Sequence, residues 1–163
     1  MDALENLTFD EIKIGDYRSY SKTLTEQDLI LFATVSGDVN PVHLDNEFAA
    51  ESMFKERIAH GMWSASLISA TLATVIPGPG TIYLNQSLSF RRPVKLAETL
   101  TVTLTAKSKD SDKKTIIFDC LVKNQDGKTV VTGDAEVIAP THKVSLDKPV
   151  LPQVNIPSLT EPC

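Results

Sequence analysis

Asp38 and His43 stand five residues apart in the segment Ser36-Gly37-Asp38-Val39-Asn40-Pro41-Val42-His43, and Gly61 opens an apolar run directly after Ala59-His60. A carboxylate and an imidazole can between them take a proton from water and give one to carbon. The amide of a residue that starts a helix lacks an intrahelical partner and sits at the positive end of the helix dipole, so it can receive charge developing on a carbonyl oxygen. Having no side chain, Gly61 lets such a carbonyl come close. One donor of this kind is worth on the order of 3 kcal/mol, about two decades of rate. The three groups together point to proton transfer beside a carbonyl.

Each residue also has a plainer reading. Asp38 and Asn40 are types that satisfy backbone groups in turns. An ionised Asp38 raises the affinity of His43 for a proton and desolvation lowers it, and the sequence leaves open which prevails and which of the two is acid or base. Asp38, His43 and Asp45 are also metal-ligand types. No further ligand stands near them and proton transfer needs no ion, so no metal and no other cofactor is expected. Asp45 is better placed to cap a helix starting at Asn46. His60 reads as a turn or supporting residue and His142 as solvated.

The elements that must position these groups are legible from period and punctuation. Tyr17 to Leu24 predicts a short strand, and Thr25 with Asp28 forms a capping box for a helix to about Val35, with Leu29, Phe32, Ala33 and Val35 on its apolar side. Gly37 and Pro41 end that helix and stiffen the loop that carries Asp38. A short helix runs from Asn46 to about Ser52. The next, from Gly61 to Ile76, is apolar in almost every direction and must be surrounded. Thr81–Phe90, Thr99–Lys107, Thr115–Lys123 and Thr129–Ala139 alternate as strands, the last three joined by polar turns at 107–114 and at Asn124-Gln125-Asp126-Gly127. An antiparallel sheet wrapped around one apolar helix is an α+β hot-dog fold. Residues 1–140 are expected to form that single domain. Residues 141–163, with Pro149, Pro152, Pro157 and Pro162, read as an extended tail or linker.

Composition narrows the partners. A chain of 163 residues with 42% hydrophobic content and a net charge of -5 is globular, with no general attraction for nucleic acid or anionic lipid. Gly61 to Phe90 holds no charge, yet its helical part is shorter than the ~20 residues a bilayer needs and ends at Pro77-Gly78-Pro79-Gly80, so no membrane span is expected. Met1 to Glu5 lacks the start of a signal peptide, and two scattered cysteines, Cys120 and Cys163, make neither a disulfide framework nor a zinc site. A reducing cytoplasm fits, and there the sequons at Asn6 and Asn85 carry no meaning. Arg91, Arg92 and Lys95, around Pro93, are read equally as a basic patch for phosphates and as a solvated strand end.

Ser36 to Asp45, Ile58-Ala59-His60-Gly61-Met62, Gly80 to Gln86 and Ser89-Phe90-Arg91-Arg92-Pro93-Val94 together resemble the MaoC-like (R)-specific enoyl-CoA hydratases, in order, from about Phe9 to Pro140. That resemblance implies a hot-dog homodimer that adds water reversibly and syn across trans-2-enoyl-CoA, giving (R)-3-hydroxyacyl-CoA. It implies Asp38 and His43 as the catalytic dyad, the Gly61 amide on the thioester oxygen, and Ser69 as a polar helix position supporting the site. An acyl tail would then run beside the helix, with Leu72 and Val75 as candidate lining residues and Arg91 and Arg92 toward the coenzyme A phosphates. Family members feed polyester precursor supply or fatty-acid breakdown. A hot-dog acyl-CoA thioesterase and an acyl-CoA-binding module without activity stay open as alternatives.

Overall fold

The computed structural model describes residues 3–156. In chain order the elements are β1 (Ala3–Glu5), β2 (Tyr17–Thr23), α1 (Glu26–Ser36), α2 (Pro41–Leu44), α3 (Asn46–Glu51), α4 (Gly61–Thr74), β3 (Ile82–Gln86), β4 (Ser89–Phe90), β5 (Thr99–Asp110), β6 (Thr115–Lys123), β7 (Thr129–Ile138) and β8 (Ser145–Asp147). One antiparallel sheet runs β2-β5-β6-β7-β3, with β4 also on β7. Helix α4 lies against it, so the architecture is the expected α+β hot-dog fold.

Alternation explains the core. Leu100, Val102, Leu104 and Ala106 of β5 all point inward and meet Trp63, Leu67, Ile68 and Leu72 of α4, with Phe118, Val122 and Val137 beside them. The other face of β5 carries Thr99, Thr101 and Thr103, whose hydroxyls bond those of Thr23, Ser21 and Ser19 on β2. Outward threonines thus tie the edge strand without apolar surface. The turn at 124–127 closes with Gly127 at φ 73°, the left-handed conformation that glycine adopts without strain.

Four expectations need correction. The stretch Thr81–Phe90 is not one strand. It breaks after Gln86 because Ser87 crosses directly over Gly133 of β7, where a Cβ would stand 1.8 Å from the Ser87 carbonyl oxygen. Ile82 and Leu84 face outward, and Leu88 is the member of that run packed on the core. Strand β5 continues to Asp110 through a bulge between Ala106 and Ser108, which shortens the following turn to Ser111–Lys114. Val35 is 86% exposed and adds nothing to the buried side of α1. Helix α4 is covered on its sheet side only, since Met62, Ser66, Ser69 and Ala73 form an open stripe at helical spacing.

The segment after Pro140 is in part docked. Strand β8 pairs with β1, and the Asn6 amide donates to the carbonyls of Pro79 and His142 while its oxygen accepts from the Val144 amide. Asn6 is thereby buried. Pro157, Pro162, Cys163 and the first two residues lie outside the described residues. No helix among the described residues is long and apolar enough to cross a membrane.

Candidate active site

Helix α1 ends where Gly37 turns left-handed at φ 77° and its amide reaches the Ala33 carbonyl. The chain then anchors Asp38 twice. Its amide donates to Ser36 Oγ at 3.2 Å, and its Oδ1 accepts from the Asn40 amide at 3.1 Å. Asn40 Oδ1 accepts from the Val42 amide and so caps α2, a single helical turn that starts on Pro41, where a missing N–H costs nothing. That turn swings Val42 and His43 inward, leaving His43 7% exposed. Asp45 accepts from the amides of Glu47 and Phe48 and is committed to capping α3.

Asp38 is therefore open to both readings, one oxygen for each. With Oδ1 held by the turn, Oδ2 faces His43 Nε2 at 4.0 Å. On its other side His43 Nδ1 lies 2.8 Å from the Ile58 carbonyl oxygen. A carbonyl only accepts, so Nδ1 carries the proton and Nε2 of the neutral ring offers a lone pair toward Asp38. The 4.0 Å gap is too long for a direct hydrogen bond, and one water oxygen can touch both atoms at ordinary distances of about 2.8 Å.

Electrostatics supplies the answer that the sequence left open. Burial lowers the proton affinity of His43 below its ordinary value of 6.5, and the adjacent His60 imidazole, beside which a second positive charge is disfavoured, acts in the same direction. The Ile58 bond and Asp38 pull the other way and do not win. The net direction favours the neutral ring. Cys120 is buried, and burial pushes its thiol up to about 12, which disqualifies it as a thiolate nucleophile.

His60 approaches the pair more closely than the sequence suggested. Its ring stacks on that of His43 with centroids 3.8 Å apart, and its Nε2 sits 2.9 Å from the Asp38 carbonyl oxygen. Asp38, His43 and His60 offer ligand atoms within 4.8 Å of one another, a grouping that contains His60 where Asp45 was considered. Two imidazoles lying face to face send their lone pairs along separate planes, and an ion between the faces meets neither.

Gly61 is the first residue of α4, and the Phe90 ring covers it so closely that a Cβ would lie 3.1 Å from Phe90 Cε1. A cavity of about 330 Å³ brings Asp38, His60, Gly61, Phe32, Met62 and Phe90 to one wall. Through Gly61 and Phe90 it adjoins a second, of about 280 Å³, lined by Ser64, Arg91, Arg92 and Val130. Through Phe32 and Met62 it adjoins a third, of about 370 Å³, lined by Ser66, Ser69, Tyr83 and Gln86. At about 280, 330 and 370 Å³ they lie just under or at the bottom of the ~300–1,000 Å³ range of ligand pockets, and the residues they share set them side by side as a track of adjoining cavities.

The residues expected from sequence are distributed along this track. Asp38 and Gly61 meet at its middle, and His43, buried and not among the lining residues, faces Asp38 Oδ2 from behind at 4.0 Å. Ser69 lies on the third cavity, away from the wall that holds Asp38. Arg91 and Arg92 line the second, where Arg92 donates to the Thr129 carbonyl. Lys95 is paired with Glu56 instead. Leu72 is 1% exposed in the core and Val75 is half-buried. Ser64 had not been singled out. It is buried one turn after Gly61, and its hydroxyl has no partner among the described residues, whereas Ser66, Thr71 and Thr74 bond back to the helix.

A family model described as "MaoC like domain" matches residues 11–128. The chain is 46% identical to an (R)-specific enoyl-CoA hydratase of Rhodospirillum rubrum, over 81% of this chain and 91% of that protein. It is 36% identical to a 3-hydroxybutyryl-CoA dehydratase of Methylorubrum extorquens, over 84% of this chain and 87% of the other. Among solved structures it resembles the R-hydratase PhaJ1 from Pseudomonas aeruginosa in its unliganded form, with a TM-score of 0.92 and 49% identity over 96% of this chain and all of that one.

Proposed function

The chain belongs to the MaoC-like domain family, and on that footing we propose that it is an (R)-specific enoyl-CoA hydratase, a hydro-lyase that interconverts trans-2-enoyl-CoA and (R)-3-hydroxyacyl-CoA. The observation that carries this reading is the 4.0 Å approach of Asp38 Oδ2 to His43 Nε2. It acquires its meaning from the Gly61 amide, which shares a cavity with Asp38.

In the hydration direction a water lies between Oδ2 and Nε2. Asp38 accepts one of its hydrogens and orients it. His43 Nε2 takes the other as the water oxygen bonds C3, and the C2=C3 electron pair moves toward the thioester oxygen. The Gly61 amide donates to that oxygen as charge gathers there. The imidazolium, steadied by Asp38, then returns its proton to C2, which restores the thioester and the neutral ring. Water and proton both come from the dyad's side of the substrate, so the addition is syn. No step asks for a metal or redox cofactor, and none is proposed.

The track orders the substrate. The thioester sits in the middle cavity, coenzyme A extends past Gly61 toward Arg91 and Arg92, and the acyl tail passes Met62 toward Ser69. Leu72 we leave to the core. The free edge of β3, with outward Ile82 and Leu84, and the open stripe of α4 would be covered by a second copy, so we propose a homodimer. A reduced, buried Cys120 accords with a cytoplasmic enzyme.

The test is turnover of a chain-length series of trans-2-enoyl-CoA, following loss of the conjugated enoyl absorbance, with chiral analysis of the product and a free-thiol assay alongside. The expected product is the (R)-3-hydroxyacyl thioester with coenzyme A still attached. Thiol release without loss of the enoyl chromophore would make the protein a thioesterase, and neither signal would leave it a binding module.

A further inference from the structure

The hydration just described gives His43 a task and leaves His60 without one, although His60 is the more deeply buried of the two at 2% exposed. Its Nε2 faces the Asp38 carbonyl oxygen, which can only accept, so the proton of the neutral ring is on Nε2 and the lone pair is on Nδ1. Nδ1 is buried and has no partner. An orphaned acceptor inside a protein is a cost that a phenylalanine or leucine would avoid. What an apolar side chain could not supply here is the hydrogen bond to the main chain of Asp38.

The surroundings show what that bond holds. Asp38 belongs to the loop after α1, His43 to α2, and Gly61 to the start of α4. His60 is the N-cap residue of α4 and its side chain does not cap that helix. Instead it reaches back 22 residues to Asp38. One face of its ring lies on His43, and Phe32 of α1 packs against it at 5.1 Å with the rings tilted by 46°. The backbone of His60 runs directly into the Gly61 amide.

We propose that His60 is a positioning residue for the hydration: its Nε2–H holds the Asp38 main chain and its ring fixes the plane of His43, keeping the dyad in register with the Gly61 amide. This rests on the hydratase reading. A displacement of the order of 1 Å in such a constellation costs up to about a hundredfold in rate, so the effect belongs in kcat and not in KM.

Two variants and one spectrum decide it. H60F keeps the ring and removes the donor, and is expected to lower kcat by about tenfold to a hundredfold with KM within about threefold. H60Q offers an amide donor near the same place, and is expected to regain most of that loss. In the wild-type protein, imidazole ¹H–¹⁵N spectra should find the proton on Nε2 of His60 and on Nδ1 of His43, with His142 assigned by its absence in H142Q. Wild-type kcat in H60F, or no recovery in a folded H60Q, would overturn the proposal. So would a proton on Nδ1 of His60, which keeps the test decisive even where H60F fails to fold. A wild-type protein inert toward every enoyl-CoA would overturn the hydratase reading and this role with it, whereas failure of His60 alone would leave wild-type hydration intact.

Discussion

Replacing Asp38 by Asn separates its two tasks. The Asn oxygen can still accept from the Asn40 amide, so the turn that carries it survives. The other end becomes an NH₂ that faces His43 Nε2 across the same 4.0 Å, where it donates to the intervening water instead of accepting from it. Two magnitudes then compete. Loss of a unit charge 4.0 Å from a forming imidazolium is worth about 1 kcal/mol in water and about 4 kcal/mol at an effective dielectric of 20. Asp38 is half exposed, so the screened figure applies, about fivefold in rate. Loss of positioned proton transfer is worth ~10²–10⁴, or about 2.7–5.4 kcal/mol. The account therefore expects kcat for crotonyl-CoA hydration to fall at least about a hundredfold, with a thermal midpoint within about 2 °C of wild type because no core contact is touched. Residual activity should lose its acid limb at lower pH, since Asp38 is one of the groups that raise His43. A folded variant that loses only about fivefold would reduce Asp38 to a remote charge and refute the reasoning.

Further perturbations test other links. The base must be unprotonated, and burial holds His43 below 6.5, so kcat/KM should stay level as pH falls to that value and decline only beneath it. An acid inflection above 6.5 would contradict the burial argument. The same sign governs stability: His43 adds stability that is whole above its unfolded value and is lost as pH falls through the lower folded one, measurable as a urea midpoint that H43Q makes less pH-dependent. G133A drives a methyl into the Ser87 carbonyl and should cost about 3 kcal/mol or more by urea unfolding. G61A meets only the half-exposed Phe90 ring, so it should fold normally while kcat falls about tenfold to a hundredfold from a methyl over the donor amide. L84E places charge on the free β3 edge and should shift sedimentation from dimer to monomer.

The approach of Asp38 to His43 was readable because their positions are set locally. Gly37 permits the left-handed turn, Asn40 caps α2 and Pro41 restricts its own backbone, and the spacing of Asp38 and His43 does the rest. Helix α2 was not readable, since four residues carry no period, although Asn40-Pro41 is a cap followed by a permitted proline. Alternation in Thr81–Phe90 separated two faces without saying which is buried, and the break after Gln86 is dictated by Gly133, some 46 residues onward. The pairing of β8 with β1 depends on strands of three residues each, too short to show a pattern. His60 read only as a turn or supporting residue because its contacts with Asp38 and His43 are long-range. Ser64 was lost among five hydroxyl residues of one helix, and what sets it apart, burial one turn after Gly61 without a back-bond, shows only in three dimensions.

The central claim is that water and proton reach the substrate from one face, between Asp38 and His43, while the Gly61 amide holds the thioester oxygen. Hydration of crotonyl-CoA in D₂O, with the configuration at C2 and C3 read by NMR, tests it most directly. The account predicts (R)-3-hydroxybutyryl-CoA with a single C2 deuteron syn to the new hydroxyl. An anti product, or deuterium scrambled over both C2 positions during a single turnover, would contradict it.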